Sequence, residues 1–372
     1  MMDDKRYWIG FTLVKGIGAV RFQHLLDRFG DAQKAWDANP AELAGAGLSL
    51  KLIERLVAVR EKVDLSLIWD QIESKGIQVL TWMDEAYPQR LKEIEQPPPV
   101  LYLRGELLPE DTWAVAIVGT RRVSPYGRQV TEEIASFLAA NGITVVSGFA
   151  RGIDSIAHTA ALKAGGRTLA VLGCGVDSIY PPENRALFEQ MLQRGAVISD
   201  YAPGTPPESS NFPPRNRIIS GLSMAVVVVE AGLTSGALIT AEFAAEQGRE
   251  VFAVPGNILA PQSKGTNKLI QQGAHPLLNA SDIMQVLNLT RVAQHKAARK
   301  ILPDDEVEAK LLDVMGDQPL HIDEIRNQTN LPVEKVSAKL VMMELKGMVR
   351  QVGNMQYVVL REVQSDYSVT NE

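Results

Sequence analysis

Trp113-Ala114-Val115-Ala116-Ile117-Val118-Gly119-Thr120-Arg121-Arg122 is a short apolar run that breaks at a glycine into hydroxyl and guanidinium groups. Six residues of Trp, Ala, Val and Ile with no charge among them suit a strand buried on both faces. Outward from it the same kind of run recurs at 143–147, 168–173, 196–199, 224–229 and 250–254. Amphipathic helices are expected between the runs, at about 127–140, 153–164, 184–194, 215–220, 237–247 and 267–272. This alternation predicts an α/β fold with a doubly wound, mostly parallel sheet.

The rest of the composition sets bounds. The chain has 372 residues, 45% of them hydrophobic and 22% charged, with a net charge of −6. That is enough for two or three domains with ordinary cores, and it argues against disorder as the main state. Cys174 is the single cysteine, so a disulfide scaffold is excluded and a reducing cytoplasm is the expected home. Met1-Met2-Asp3-Asp4-Lys5-Arg6 has acids where a secretory signal needs basic then apolar residues. The longest aliphatic run, 224–229, is far short of a membrane span, so no membrane partner is expected. Charge is unevenly spread: residues 1–111 net −4, 112–300 net +4 and 301–372 net −6. The basic middle is the better clue to an anionic partner than the acidic whole.

The flanks differ from the middle. Residues 1–95 read as a helical domain. Val14-Lys15-Gly16-Ile17-Gly18 and Leu43-Ala44-Gly45-Ala46-Gly47 each precede a helix, at 19–28 and 50–62. Two such units look like a helix-hairpin-helix or SAM-like module, and equally like glycine caps in a packing domain. Gln96-Pro97-Pro98-Pro99 opens an extended linker over 96–111. The sheet domain is placed at 112–290 and a basic, acid-free linker at 291–303. Helices at 306–315, 322–329 and 333–346, then a hairpin at 348–352 and 355–360, give a winged helix over 304–362, with a tail at 363–372. Glu334 and Glu344 accompany Lys335, Lys339 and Lys346 on its third helix, which favours protein contact or stabilisation over duplex binding.

In an open parallel sheet, ligands gather at the carboxyl ends of the strands. Five successive strand ends carry glycines, hydroxyls or basic groups. The first is Gly119-Thr120-Arg121-Arg122; the second is Ser147-Gly148-Phe149-Ala150-Arg151-Gly152-Ile153-Asp154. Arg121 and Arg151 offer forked donors to phosphate, although Arg151 also fits a plain surface position on a strand–helix elbow. Gly173-Cys174-Gly175 follows the third strand. Cys174 lacks a His–acid constellation and His158 reads as a packed side chain, so neither is given chemistry. The richest loop is Phe212-Pro213-Pro214-Arg215-Asn216-Arg217-Ile218-Ile219-Ser220-Gly221, where Phe212 can stack on a base. Glu230-Ala231-Gly232-Leu233-Thr234-Ser235-Gly236 is a candidate phosphate nest. Lys264-Gly265-Thr266-Asn267-Lys268 is acid-free.

Several chemistries find no support. G-x-x-x-x-G-K-[ST], H-E-x-x-H and G-x-S-x-G do not occur, nor does a close Cys/His cluster. The dinucleotide pattern G-x-G-x-x-G is missing after the first strand. No cofactor and no metal are expected, and the pattern reads as binding without turnover.

The loops at 119–121, 147–154, 173–175, 212–221 and 248–256 closely resemble those of the DNA-processing protein A (DprA, or Smf) family, in order and across 112–290. The resemblance implies a Rossmann-like domain that binds single-stranded DNA, dimerises and helps load the RecA recombinase during natural transformation. It also implies that the flanks are that family's accessory domains. Carried onto this sequence, it makes Arg121, Arg151, Arg215, Arg217 and Lys264 phosphate ligands, with Arg122 and Lys268 as further cations. Gly119, Thr120, Ser147, Gly148 and Ser235 supply close backbone or hydroxyl contacts, and Glu230 orients an arginine. The competing reading is a Rossmann-like nucleotide phosphoribohydrolase, similar to the lonely guy family. That family carries P-G-G-x-G-T-x-x-E, whereas 232–239 here contains no acid.

Overall fold

The computed structural model describes residues 2–289, 306–315, 320–329, 331–345, 348–353 and 355–359. They fall into two compact units, Met1–Ile283 and Met284–Glu372. The expected linker at 291–303 and the tail at 363–372 lie outside the described residues.

The first unit opens with α1 (Met2–Thr12), α2 (Ala19–Phe29), α3 (Ala32–Asp37), α4 (Pro40–Gly45), α5 (Leu50–Lys62) and α6 (Leu65–Ser74). Local chemistry sets their ends. Asp31 accepts from the Lys34 amide at 2.7 Å, and Asn39 with Glu42 forms a reciprocal capping box. Gly30, at φ 86°, closes α2. Trp8 meets Phe22 and Trp82 edge-on, and Phe11 meets Trp36 likewise, which gives these helices an aromatic centre. Gly16 has φ 106°, and a Cβ there would lie 2.8 Å from a Leu52 methyl, so this glycine turn serves helix packing.

The sheet follows as β1 (Gln78–Thr81), α7 (Gln89–Lys92), β2 (Val100–Gly105), β3 (Ala114–Val118), α8 (Pro125–Ala140), β4 (Thr144–Ser147), α9 (Ile153–Lys163), β5 (Thr168–Val171), α10 (Arg185–Gln193) and β6 (Gly195–Ser199). It continues through α11 (Phe212–Gly221), β7 (Ala225–Val228), α12 (Gly236–Glu246), β8 (Glu250–Ala253), α13 (Lys264–Gln271), β9 (His275–Pro276) and α14 (Ala280–Val286). Strand order is β1-β2-β6-β5-β4-β3-β7-β8-β9. The pairs from β6 to β9 are parallel, and every residue of β3, β4, β5, β6 and β7 is buried. Two-sided burial is why those strands read as unbroken apolar runs.

Two expectations are corrected at the other edge. The 96–111 stretch, expected as a linker, contains β2, and the helical 1–95 portion contains β1. Both strands extend the sheet antiparallel, with Tyr102 opposite Ser199. The prolines at 97–99 masked the strand that follows them, and the six residues of Val100–Gly105, buried without alternation over the first four, give periodicity little to announce. The helices and the sheet also share one hydrophobic core, from Trp8 and Phe22 through Leu91 and Tyr102 to Ile219. In packing, the N-terminal portion is part of the sheet unit.

The second unit holds α15 (Glu306–Met315), β10 (Leu320–His321), α16 (Ile322–Thr329), α17 (Val333–Leu345), β11 (Val349–Gly353) and β12 (Gln356–Val359), with the sheet ordered β10-β12-β11. This is the expected winged-helix order plus a short strand, around a core of Leu311, Ile325, Val336, Leu340, Met343 and Tyr357.

Close backbone approach constrains the first sheet at β6. A Cβ on Gly195 would run into the carbonyl oxygen of Thr168, and one on Gly105, at φ 87°, into that of Gly195. Gly195→Ala is therefore expected to lower stability by about 1–3 kcal/mol, read as an earlier denaturant midpoint; an unchanged midpoint would refute the contact.

Candidate nucleic-acid interface

The chain builds β3 to β6 outward on one side of β3, then returns to place β7 on its other side. That reversal leaves a crevice at the carboxyl ends of β3 and β7, as doubly wound sheets do. A cleft of about 670 Å³ occupies it, lined by Gly119, Thr120, Arg121, Phe212, Arg215 and Ser235 among the expected residues.

Hydrogen bonds between loops set the rim. The Thr120 amide donates to the Glu230 carbonyl at 2.8 Å, and the Ile153 amide donates to the Thr120 carbonyl at 3.2 Å. Gly152, at φ 80°, lies where a Cβ would strike the backbone of Thr120 and Arg121. Ser124 caps α8 by accepting from the Gly127 amide at 3.0 Å, and its hydroxyl donates to the Glu230 carboxylate. Glu230 also accepts from the Ser124 amide at 3.0 Å. The expectation that Glu230 orients an arginine is corrected: it is buried against Gly127 and anchors the loop after β3.

Phe212 stands in the cleft with cations beside it. The guanidinium carbons of Arg121 and Arg215 lie 5.7 and 5.8 Å from its ring centroid, within cation–π range. Tyr180 lies 5.8 Å away at 31°. Gly173 leaves room for the ring, since a Cβ there would lie 2.7 Å from a Phe212 carbon. Tyr180 and Asn216 also line the cleft. Neither was singled out as a site residue from the sequence, although Asn216 lies inside the 212–221 run.

The basic residues divide. Arg121, Arg122, Lys264 and Lys268 are exposed. Lys264 begins α13, and the next residue's amide donates to the Ala231 carbonyl at 2.8 Å, which seats that helix against the rim. Arg151 is exposed but paired with Glu183, its Nη2 3.1 Å from Oε2. Arg217 points away from the cleft and pairs with Asp200 at 2.9 Å. Arg215 is only 4% exposed. Its Nη1 donates to the carbonyls of Gly148, at 3.0 Å, and Val171. Burial lowers its pKa to about 10 despite Asp154 nearby, so it stays charged at neutral pH. Arg215 and Arg217 are thus held by the protein itself, which corrects their expected role as open phosphate ligands. Ser147 and Gly148 are corrected likewise: the Ser147 hydroxyl donates to the Ile117 carbonyl at 2.6 Å, and the Gly148 amide to Asp154 at 3.1 Å, both beneath the surface.

Beneath the cleft, Asp154 accepts from the amides of Gly148 and Ala150. Burial pushes its pKa up to about 6, while Arg215 and those amides pull it down. His158 is fully buried, with Nδ1 2.6 Å from the Thr168 hydroxyl; burial, aided by the charge of Arg215, lowers its pKa to about 3. Cys174 is buried and its thiol pKa is raised by burial. Among the described residues no group of three or more His, Cys, Asp or Glu comes together as a metal site, and no helix is long and apolar enough to cross a membrane.

Comparison with known proteins follows the same two units. The family model for DNA recombination-mediator protein A matches residues 78–288, and that for the DprA winged helix domain matches 295–355. Protein Smf of Escherichia coli is 38% identical over 371 residues, 97% of each chain. DNA processing protein DprA of Streptococcus pneumoniae is 44% identical over 202 residues, 54% of this chain and 71% of that one. The X-ray structure of the pneumococcal protein superposes with a TM-score of 0.68 at 33% identity, covering 75% of this chain and 97% of the other. DNA processing protein A of Helicobacter pylori, described for its single-stranded DNA binding mode, gives 0.51 at 34% identity, covering 56% and 95%.

Two outcomes follow from the buried groups. Arg215→Met would strand two carbonyls and the Asp154 charge, and is expected to cost about 3–5 kcal/mol of stability, measured by denaturant unfolding. The imidazole of His158 stays neutral in the fold, so its contribution is present above pH 6.5 and lost as pH falls toward 3. Asp154 has the opposite sign: its contribution is full below pH 3.8 and lost as pH rises through 6. His158→Gln should therefore flatten the decline of stability below pH 6.5 and Asp154→Asn should steepen it; parallel pH profiles for all three proteins would contradict this.

Proposed function

Because the chain belongs to the DprA/Smf family, we propose that it holds single-stranded DNA along the rim of the cleft without cutting it. The observation that carries this reading is Phe212, an aromatic ring in the cleft with the guanidinium carbons of Arg121 and Arg215 5.7 and 5.8 Å from its centroid. Single-strand binders combine these parts, a ring for a base to stack on and a basic track for the backbone. Arg121, Arg122, Lys264 and Lys268 are the phosphate ligands in this proposal, with Phe212 as the stacking platform. Gly119, Thr120 and Ser235 offer close backbone and hydroxyl contacts. Arg151 joins them when phosphate displaces Glu183.

The same proposal makes the protein a carrier and not an enzyme. Asp154 is the one carboxylate among the described residues lining the cleft, and its Oδ2 already accepts two amides. A phosphoribohydrolase needs a free acid there. We further propose that a homodimer formed through the sheet unit delivers the strand to RecA in the cytoplasm. The matched family's description as a recombination mediator supports that destination.

Arg121→Glu combined with Lys264→Glu tests the site. Single-strand affinity should fall at least about tenfold, and the slope of log K against log salt should shrink by about 1.4, from two lost phosphate contacts. Both side chains are exposed, so the unfolding midpoint should stay where it was. Binding of oligo-dT equal to the parent would sink the assignment.

A further inference from the structure

Native interiors leave few buried polar atoms unpaired, and a pair of them on neighbouring side chains asks for an explanation. Among the described residues, the Nε atoms of Arg90 and Arg249 are two such atoms. Arg249 stands just before β8, at the amino end of that strand and so at the opposite end of the sheet from the cleft. Its Nη2 donates to the backbone carbonyl of Arg90, on α7, at 3.0 Å. The bond brings together two half-buried arginine residues that form no ion pair among the described residues. Glu93 is the acid nearest in effect to both, and it is exposed and already accepts from Gln89. Burial lowers the pKa of both guanidinium groups, and Arg90 lowers that of Arg249 further.

Two half-buried arginines on adjoining segments, each with an unpaired Nε, keep hydrogen-bonding capacity that an oxyanion would satisfy. We propose that Arg90 and Arg249 form a second oxyanion site that takes a phosphate group. Two planar guanidinium forks match phosphate oxygens in a way that ammonium groups do not. The phosphate can come free from solution or from a polynucleotide backbone passing around the sheet. The site stands apart from the cleft and does not depend on the strand-binding reading.

The test uses the full chain carrying Arg121→Glu and Lys264→Glu, the pair of changes that weakens the cleft. Inorganic phosphate replacing chloride at constant ionic strength should raise the unfolding midpoint by a few degrees. Adding Arg90→Gln and Arg249→Gln should remove that increment. Arg90→Lys, which keeps the charge but not the fork, should reduce it and serves if the double variant fails to fold. No increment with phosphate, an equal increment with acetate, or one that survives these substitutions would overturn the site. The source is then read from the otherwise native chain. If Arg90→Gln weakens binding of a long oligo-dT several-fold but not a short one, the backbone supplies the phosphate. Equal binding of both assigns the site to the free ion.

Discussion

A buried guanidinium organises this molecule. Arg215 reaches from α11 beneath the loop after β4 and donates to the carbonyls of Gly148 and Val171, at the ends of β4 and β5. A charge so deep is tolerable only with such acceptors and a neighbouring carboxylate, here Asp154. The same helix begins with Phe212, so the anchor that holds the strand ends also sets the ring in the cleft. The anchoring role and the proposed stacking role are divided along one turn of sequence: Arg215 points in, and Phe212 stands in the opening.

The division reconciles an acidic chain with the anionic partner proposed for it. The exposed positive side chains near the cleft are few, Arg121 and Arg122 on the loop after β3 and Lys264 and Lys268 on α13 after β8. Buried or paired arginines add little to the potential there, because their field is met by internal acceptors. Glu230 belongs to the same economy of placement. An acid in the middle of a basic rim would repel phosphate, but this one is turned inward onto Ser124.

The N-terminal helices belong to the sheet unit in packing. Their aromatic centre meets the antiparallel edge made by β1 and β2, and Lys75 pairs with Asp177 across that boundary at 2.7 Å. Edge strands invite unwanted pairing. The winged-helix unit has its own core and its own small sheet, which fits separate cooperative folding.

Much of this was legible in the amino-acid order. The buried strands announced themselves as apolar runs, α5 and the three helices of the winged unit fell within a residue of their expected bounds, and the glycine-bearing strand ends marked the crevice. The motif resemblance named the family before any coordinate. Sequence also singled out Phe212 as a ring on which a base can stack, and the fold places that ring in the cleft. The edge strands β1 and β2 and the fates of Arg215, Arg217, Ser147 and Gly148 were not legible. Strands of four and six residues carry little periodic signal, and β2 follows a run of prolines; an arginine's letter is the same whether its partner is water, phosphate or a carbonyl 67 positions away, as between Arg215 and Gly148. Local pattern determines which segments become strands and helices; only folding, which brings distant carbonyls and carboxylates within 3 Å, decides which charges remain for a ligand.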